Sequence, residues 1–417
     1  METRRRGNNR GIEENTMAIL DTAGYSIVTQ DVNDDRLAFL EAVRSASIVP
    51  ENGSAPTNTM FEAIFQILKD EDSLELIMAS YQLLNELDKG FHLLIQDLAK
   101  VADEAKSDAS ESKLLRNMLL LQYLVRVIEG DLIPRNSAFK ENTNWPLLRE
   151  SLLNMLLGSR KIIYKGLIKD CLSVMCEMSQ FHTESSDDMK GPEKASCVLN
   201  GYDSAVAIAL PEVEKCTCTA IQKLLLMIMD LDASKKIADL QGLTTRADGV
   251  RTPAAEIILD ELTYNIDSLS PFLQVFDEPK WKLEIILQYF RKYIAKPSLR
   301  TRRLSGSADD TTFGGILKSF SDSSSTKSII KKISGEVAQI LLAHAFQAYL
   351  SLSSRYSVEG VCGSGEDVQD SSLVEVCKNM IAAFTCLKRT DVHTEILPLG
   401  KEALFTAATI LATKLKP

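Results

Sequence analysis

From about residue 34 onward, apolar side chains recur three and four positions apart rather than two. Leu37, Phe39, Leu40 and Val43 form a first stripe, and Met60, Phe61, Ile64, Phe65, Ile67 and Leu68 a wider second one. That spacing lines one side of an α-helix, whereas a half-buried strand alternates at every second residue. Hardly anywhere do β-branched and aromatic residues alternate with polar ones over strand length. The pattern predicts an all-α chain. Asn33 or Asp34 offers an N-cap to the first helix and Thr57 or Asn58 to the second, with Pro50, Asn52-Gly53 and Pro56 between them. Ser73 opens a third helix, for which Gly90 is the expected stop. FHLLIQDLAKVADEA then predicts a tight helical hairpin.

LLRNMLLLQYLVRVIEG is apolar nearly all round and is expected to be central. DLIPRNSAFKENTNWP reads as a connection, with Pro134 and Pro146 as breakers. Two more helices follow, LLRESLLNMLL and one from about Arg160 to Glu177, and then the polar, acidic HTESSDDMKGPEKAS. The densest helical block runs from Ile221 to Pro297 and predicts about four helices. Thr252-Pro253 is a start signal within it, a capping hydroxyl followed by Pro at the first helical position. Asp277-Glu278-Pro279 repeats the device. Beyond Pro297 come basic, Ser-rich loops with a short helix around Phe313 to Phe320, a long helix from Ile329 to Tyr349, another acidic Gly-rich loop, and two closing helices.

About fifteen helices of similar length, paired by short turns, predict an armadillo- or HEAT-like helical-repeat array. No consensus survives more than two copies, so the array is expected to be irregular. The organisation read from these shifts is a mobile Arg-rich start over 1–33, helical hairpins over 34–180 and an acidic loop over 181–200. A central helical block over 201–297, a basic, Ser-rich linker over 298–328 and C-terminal helices over 329–417 follow.

Composition agrees with a folded chain: 417 residues, 45% hydrophobic and 25% charged. The net charge of −10 argues against coating nucleic acid through the overall field, while leaving room for a local basic strip. No secretory signal is read at the start and no uncharged apolar run is long enough to span a bilayer, so a soluble chain without a membrane partner is expected. The eight cysteines are scattered singly and no CxxC pair occurs; Cys216 and Cys218 have no nearby histidine to complete a zinc site. Free thiols in a reducing compartment, and no metal, are expected. The four histidines lack HExxH or HxxxH spacing, and no phosphate-cradling or nucleophile-elbow motif is present. Asp230 and Asp232 form a carboxylate pair without the partners that mark an acid–base couple. The chain is expected to have no catalytic residues, no cofactor and no small-molecule substrate.

Three stretches remain as candidate contacts. The helix beginning at Trp281 carries an aromatic-rich stripe that serves either as core or as an edge offered to a partner. Arg291, Lys292, Lys296, Arg300, Arg302 and Arg303 form a basic run free of acidic residues. It reads as a nuclear import signal, for which Arg4, Arg5 and Arg6 serve equally well, as a phosphate contact with DNA, or as a solvated loop. Arg302 to Ser305, RRLS, has the look of a basophilic kinase site, with Ser305 as acceptor. In LTTRADGVRTP, Arg246, Asp248 and Arg251 surround Gly249 between two strong helices. This is either a turn in which Asp248 caps and pairs locally with an arginine, or an exposed recognition loop.

LLLMIMDLDASKKIADLQGLTTRADGVRTPAAEIILDELTY, with FLQVFDEPKWKLEIILQYFRKYIAKP and RTRR after it, resembles the plant family of negative regulators of systemic acquired resistance. NDDRLAFLEAVRSASIVPENGSAPTNTMFEAIFQIL near the start and EILPLGKEALFTAATIL near the end fit the same family, so the resemblance spans almost the whole chain. It implies an armadillo-like nuclear protein without catalytic activity that restrains defence-gene expression and recombination. It also implies association with the complex built on structural maintenance of chromosomes (SMC) proteins five and six, beside another non-SMC subunit, in the DNA-damage response. The reading from the resemblance is a nuclear adaptor or regulatory subunit that binds protein partners; a direct DNA-binding repressor using 291–303 is the alternative.

Overall fold

The computed structural model describes residues 16–19, 29–47, 56–87, 111–159, 162–184, 201–245, 248–294, 312–358, 366–391 and 395–414. Among them every regular element is helical, including sixteen α-helices and one 3₁₀ turn. The all-α reading holds, and the helix count lies close to the expected fifteen. The chain divides into two compact units, residues 1–254 and 255–417.

The first unit contains α1 (Thr29–Ser47), α2 (Asn58–Asp70), α3 (Leu74–Leu87), α4 (Glu111–Asn142), α5 (Trp145–Arg149), α6 (Leu152–Gly158), α7 (Tyr164–Glu184) and α8 (Gly201–Leu240). Thr57 caps α2 as its sequence predicts, accepting the Met60 N–H at 3.4 Å. The stripe from Met60 to Leu68 is buried. On α4, Leu115, Leu119, Leu120, Leu124, Val125 and Leu132 are all nearly inaccessible, so this helix is central, and its packing on α8 is the most extensive among the described helices.

Polar pairs along the helix edges give the order of stacking. Arg36 pairs with Glu71 and Arg44 with Glu86, linking α1 to the region of α3. Arg116 reaches Asp72, Tyr81 donates to Gln122, and Arg126 donates to Asn85, linking α3 to α4. Gln122 donates to Thr217, Lys223 to Glu129, and Ser234 to Asn136, linking α4 to α8. In each set the residue numbers climb together, so α1, α3, α4 and α8 run the same way. Such parallel alignment is how helical repeats stack equivalent elements.

Three expectations fail here. The helix predicted over LLRESLLNMLL is two, α5 and α6, with Ser151 capping the second by accepting the Asn154 N–H. Pro134 does not break the chain: α4 continues through it to Asn142, and α8 likewise passes through Pro211. The reason at Pro134 is tertiary. Arg135 donates to Asp131 at 2.8 Å and to the Leu147 carbonyl at 3.0 Å, and Asp131 accepts the Leu152 N–H at 2.7 Å, fastening the helix on both sides of the proline. These bonds and the buried apolar face outweigh the roughly 3 kcal/mol penalty of an interior proline. The first helix also starts earlier than Asn33, at Thr29.

The second unit takes α9 (Ala254–Tyr264) from its second residue, then a 3₁₀ turn (Ile266–Ser268), α10 (Leu269–Val275), α11 (Pro279–Tyr293), α12 (Phe313–Ser321), α13 (Ser323–Ile333), α14 (Gly335–Val358), α15 (Glu366–Thr390) and α16 (Pro398–Lys414). Packing of α11 on α14, of α12 on α15 and of α15 on α16 builds its core, with Phe290 edge-on to Phe320 at 5.3 Å. Gln339 donates to the Glu395 carbonyl and accepts the Leu397 N–H, fixing the entry to α16. The predicted Ile329–Tyr349 helix is in fact two, divided at Ser334. That residue adopts φ 66°, where its N–H bonds the Ile330 carbonyl and its hydroxyl accepts the Val337 N–H. A left-handed stop for one helix and an N-cap for the next share one residue.

Candidate functional site

The turn from Leu243 to Ala254 begins where α8 ends. Gly242, at φ 70°, donates its N–H to the Asp239 carbonyl at 3.1 Å, and Leu243 donates to the Ala238 carbonyl at 2.9 Å. This paired closure of a helix C-terminus needs a left-handed residue, which glycine supplies without strain.

Beyond it, two charged residues of the turn, Asp248 and Arg251, point inward. The side chain of Asp248 is only 3% exposed and accepts both the N–H and the hydroxyl of Thr245. Burial pushes its carboxyl up, but Thr245, the nearby indole of Trp145 and the guanidinium of Arg149 together outweigh this and hold it below the usual carboxylate range. The Trp145 N–H faces this carboxylate without reaching bonding geometry, and Arg149 stands 3.6 Å away. Lys235 of α8 donates to the carbonyls of Asp248 and Gly249.

Arg251 is the second anchor. Its Nε donates to Asp232 of α8 at 2.9 Å and its Nη1 to Asn154 of α6 at 3.2 Å, while the guanidinium lies 5.5 Å above the ring of Tyr164. Asp232 also accepts the Ala254 N–H at 2.8 Å and the Tyr164 hydroxyl at 3.3 Å. Burial, then the Asp232 charge, pushes the Tyr164 phenol up, against the opposing pull of Arg251. Thr252 therefore does not start α9 with its own hydroxyl. The first N–H of that helix is taken by an aspartate 22 residues earlier.

With Asp248 and Arg251 engaged internally, the outer surface of the turn is Val250, fully exposed, with Thr252 and Pro253. Ile237 and Leu240 are exposed on the last turns of α8, and Leu243 follows them. Among the described residues of the turn, no nucleophile stands beside a base. The arrangement holds a short backbone segment rigidly and presents apolar side chains to solvent, a geometry suited to recognition.

The other candidate residues are dispersed. Trp281 is half-buried at the start of α11, with the Lys280 ammonium 5.3 Å from its ring, while Ile285, Ile286, Leu287, Tyr289 and Phe290 of the same helix are core. Pro279 opens α11 as expected, but Glu278 makes no side-chain cap. In the described part of the basic run, Arg291 lies 3.8 Å from Glu284 and Lys292 pairs with Asp260 at 2.7 Å, so two of its charges are offset locally. Arg4, Arg5, Arg6, Arg246, Arg300, Arg302, Arg303 and Ser305 lie outside the described residues. Among those described, no three His, Cys, Asp or Glu side chains group as metal ligands, and no helix is long and apolar enough to cross a membrane. Cys171, Cys176 and Cys377 are buried and in no disulfide among the described residues, whereas Cys216 is exposed. Burial pushes the Cys171 thiol up to about 12.

Sequence reasoning missed Asp232, Asn154, Tyr164 and Lys235 because each finds its partner across helices. The one available signal was Asp232 itself, half of a carboxylate pair without the partners of an acid–base couple.

The model of the SNI1 middle domain matches residues 65–278, and that of the SNI1 C-terminal domain matches residues 294–415. A curated relative from Arabidopsis thaliana, the negative regulator of systemic acquired resistance SNI1, is 44% identical over 97% of this chain and 95% of its own. No solved structure matches. Two family models that together cover most of the helical chain, and a relative aligned over nearly the full length of both chains, place this protein in the SNI1 family.

Proposed function

We propose that this chain restrains systemic acquired resistance as a nuclear, non-enzymatic adaptor. In this role it is a regulatory subunit of a complex built on SMC proteins five and six, limits defence-gene transcription and recombination, and serves the DNA-damage response. The observation that carries the reading is the 44% identity, over nearly the full length of both chains, to a protein named for that negative regulation. The inward-braced turn with its apolar outer side chains supports the adaptor part, because rigid presentation of apolar anchors is what a protein partner uses.

The test is expression of the chain in a plant lacking its own copy, together with capture of a tagged version from nuclei. Low basal defence transcripts and recovery of the SMC core support the reading. Purified chain that binds duplex DNA tightly, with a steep salt dependence abolished by reversing Arg300, Arg302 and Arg303, replaces it with a direct DNA-binding repressor. Neutralising both Arg clusters is expected to move a fused reporter out of the nucleus; retention there means carriage by a partner.

A further inference from the structure

We propose that Thr252 is a phosphoacceptor for a proline-directed protein kinase, and that its phosphate loosens the grip of Asp232 on the turn. The inference does not rest on the function proposed above. Only two Ser-Pro or Thr-Pro pairs occur in the sequence, Thr252-Pro253 and Ser270-Pro271. Ser270 is half-buried inside α10, where the chain cannot extend into a kinase cleft. Thr252 and Pro253 are both exposed, in irregular backbone between the turn and α9.

The hydroxyl of Thr252 is also idle. A threonine before Pro and a helix ordinarily caps that helix, but here the Ala254 N–H goes to Asp232. With that role filled, the Thr252 side chain makes no hydrogen bond among the described residues.

In the reaction the Thr252 Oγ attacks the γ-phosphorus of ATP. The bond from that phosphorus to the β–γ bridging oxygen breaks and ADP leaves, and the hydroxyl proton passes to the kinase's base. Thr252 then carries close to two negative charges midway between the two residues that Asp232 holds, Arg251 and Ala254. Phosphate binds a guanidinium more strongly than one carboxylate does, and it repels Asp232. Arg251 is expected to turn to the phosphate, loosening 251–254 from α8, while Lys235 keeps its bonds to the carbonyls of Asp248 and Gly249.

The experiment treats the folded full chain with a proline-directed kinase and Mg-ATP, localises phosphate by fragment mass spectrometry, and follows amide hydrogen exchange over 248–256. Phosphate at Thr252, lost in T252A and in P253A, with faster exchange across the segment, is the expected result. Phosphate absent from Thr252 in the folded chain, although a peptide spanning it is modified, overturns the assignment. So does phosphate at Thr252 with exchange unchanged, while Asp232→Asn speeds it. Both readouts are independent of defence repression and of SMC binding, so a failure here is distinct from a failure of the adaptor reading.

Discussion

Asp232 and Arg251 meet 2.8 Å apart, with side chains only 9% and 16% exposed, about two turns before the end of the longest described helix. A charge pair this enclosed behaves differently from one on the surface. Removing one partner leaves the other desolvated, and for such pairs the loss is about 3 kcal/mol or more. Asp232→Ala is therefore expected to lower the urea midpoint clearly. Glu86→Gln, which breaks the exposed Arg44 pair, is expected to change stability by less than about 1 kcal/mol. Equal effects of the two substitutions would contradict this account of the turn.

Ser334 sets up a contest of opposite signs. Its φ of 66° is strained for any residue with a Cβ, while its hydroxyl caps α14. Ser334→Gly removes strain of about 1 kcal/mol and loses only a few tenths for the cap. Ser334→Ala keeps the strain and loses a cap of about 1 kcal/mol. Thermal midpoints of the two variants should move in opposite directions, up for Gly and down for Ala.

Gly400 lies where α16 meets α15. A Cβ there would stand 2.8 Å from Phe384 Cε1 and 3.2 Å from Ile396 Cγ2, closer than packed side chains allow. Gly400→Ala is expected to destabilise by about 1–3 kcal/mol through overpacking, although alanine is the better helix former. A neutral or stabilising result in chemical denaturation would show that α16 can move away without loss.

His344 gives the chain an acid sensitivity. Both ring nitrogens are buried without a bonded partner. Burial first, then the Lys282 charge, pulls the imidazole down to about 4; Gln347 opposes this only weakly. The folded value lies below the unfolded one, so between them the unfolded chain binds the extra proton. Stability from this site is complete above about pH 6.5 and falls as pH drops toward 4, by up to about 1.4 kcal/mol per pH unit. His344→Leu should flatten the decline over that window in urea titrations at stepped pH.

Much of the architecture was legible. The stripe on α2 named its own buried face, the all-round apolar stretch of α4 named a central helix, and Thr57 and Pro279 marked real helix starts. What escaped was decided at a distance. Pro134 reads locally as a breaker, yet Asp131 and Arg135 tie its surroundings to α5 and α6. Thr252 reads as a cap, yet Asp232 reaches the same helix first. Both cases have one cause: an aspartate on a long helix pairs with an arginine and caps a later helix, and no local window contains both partners. In the turn, the charge pattern showed that Asp248 and Arg251 were unusual; whether they faced in or out depended on Thr245, Trp145, Lys235 and Asn154.

The fastening of the turn to α8 also fixes its length. Asp232 and Lys235 lie on one side of that helix and hold the chain at Gly249, Arg251 and Ala254. An extra residue between those points would carry Arg251 or the Ala254 N–H out of reach of the same carboxylate. Most exposed loops accept insertions and are where tags or foreign domains are placed. This one resists them: a change of a single residue in length would strip α9 of its cap and leave two charges buried without partners.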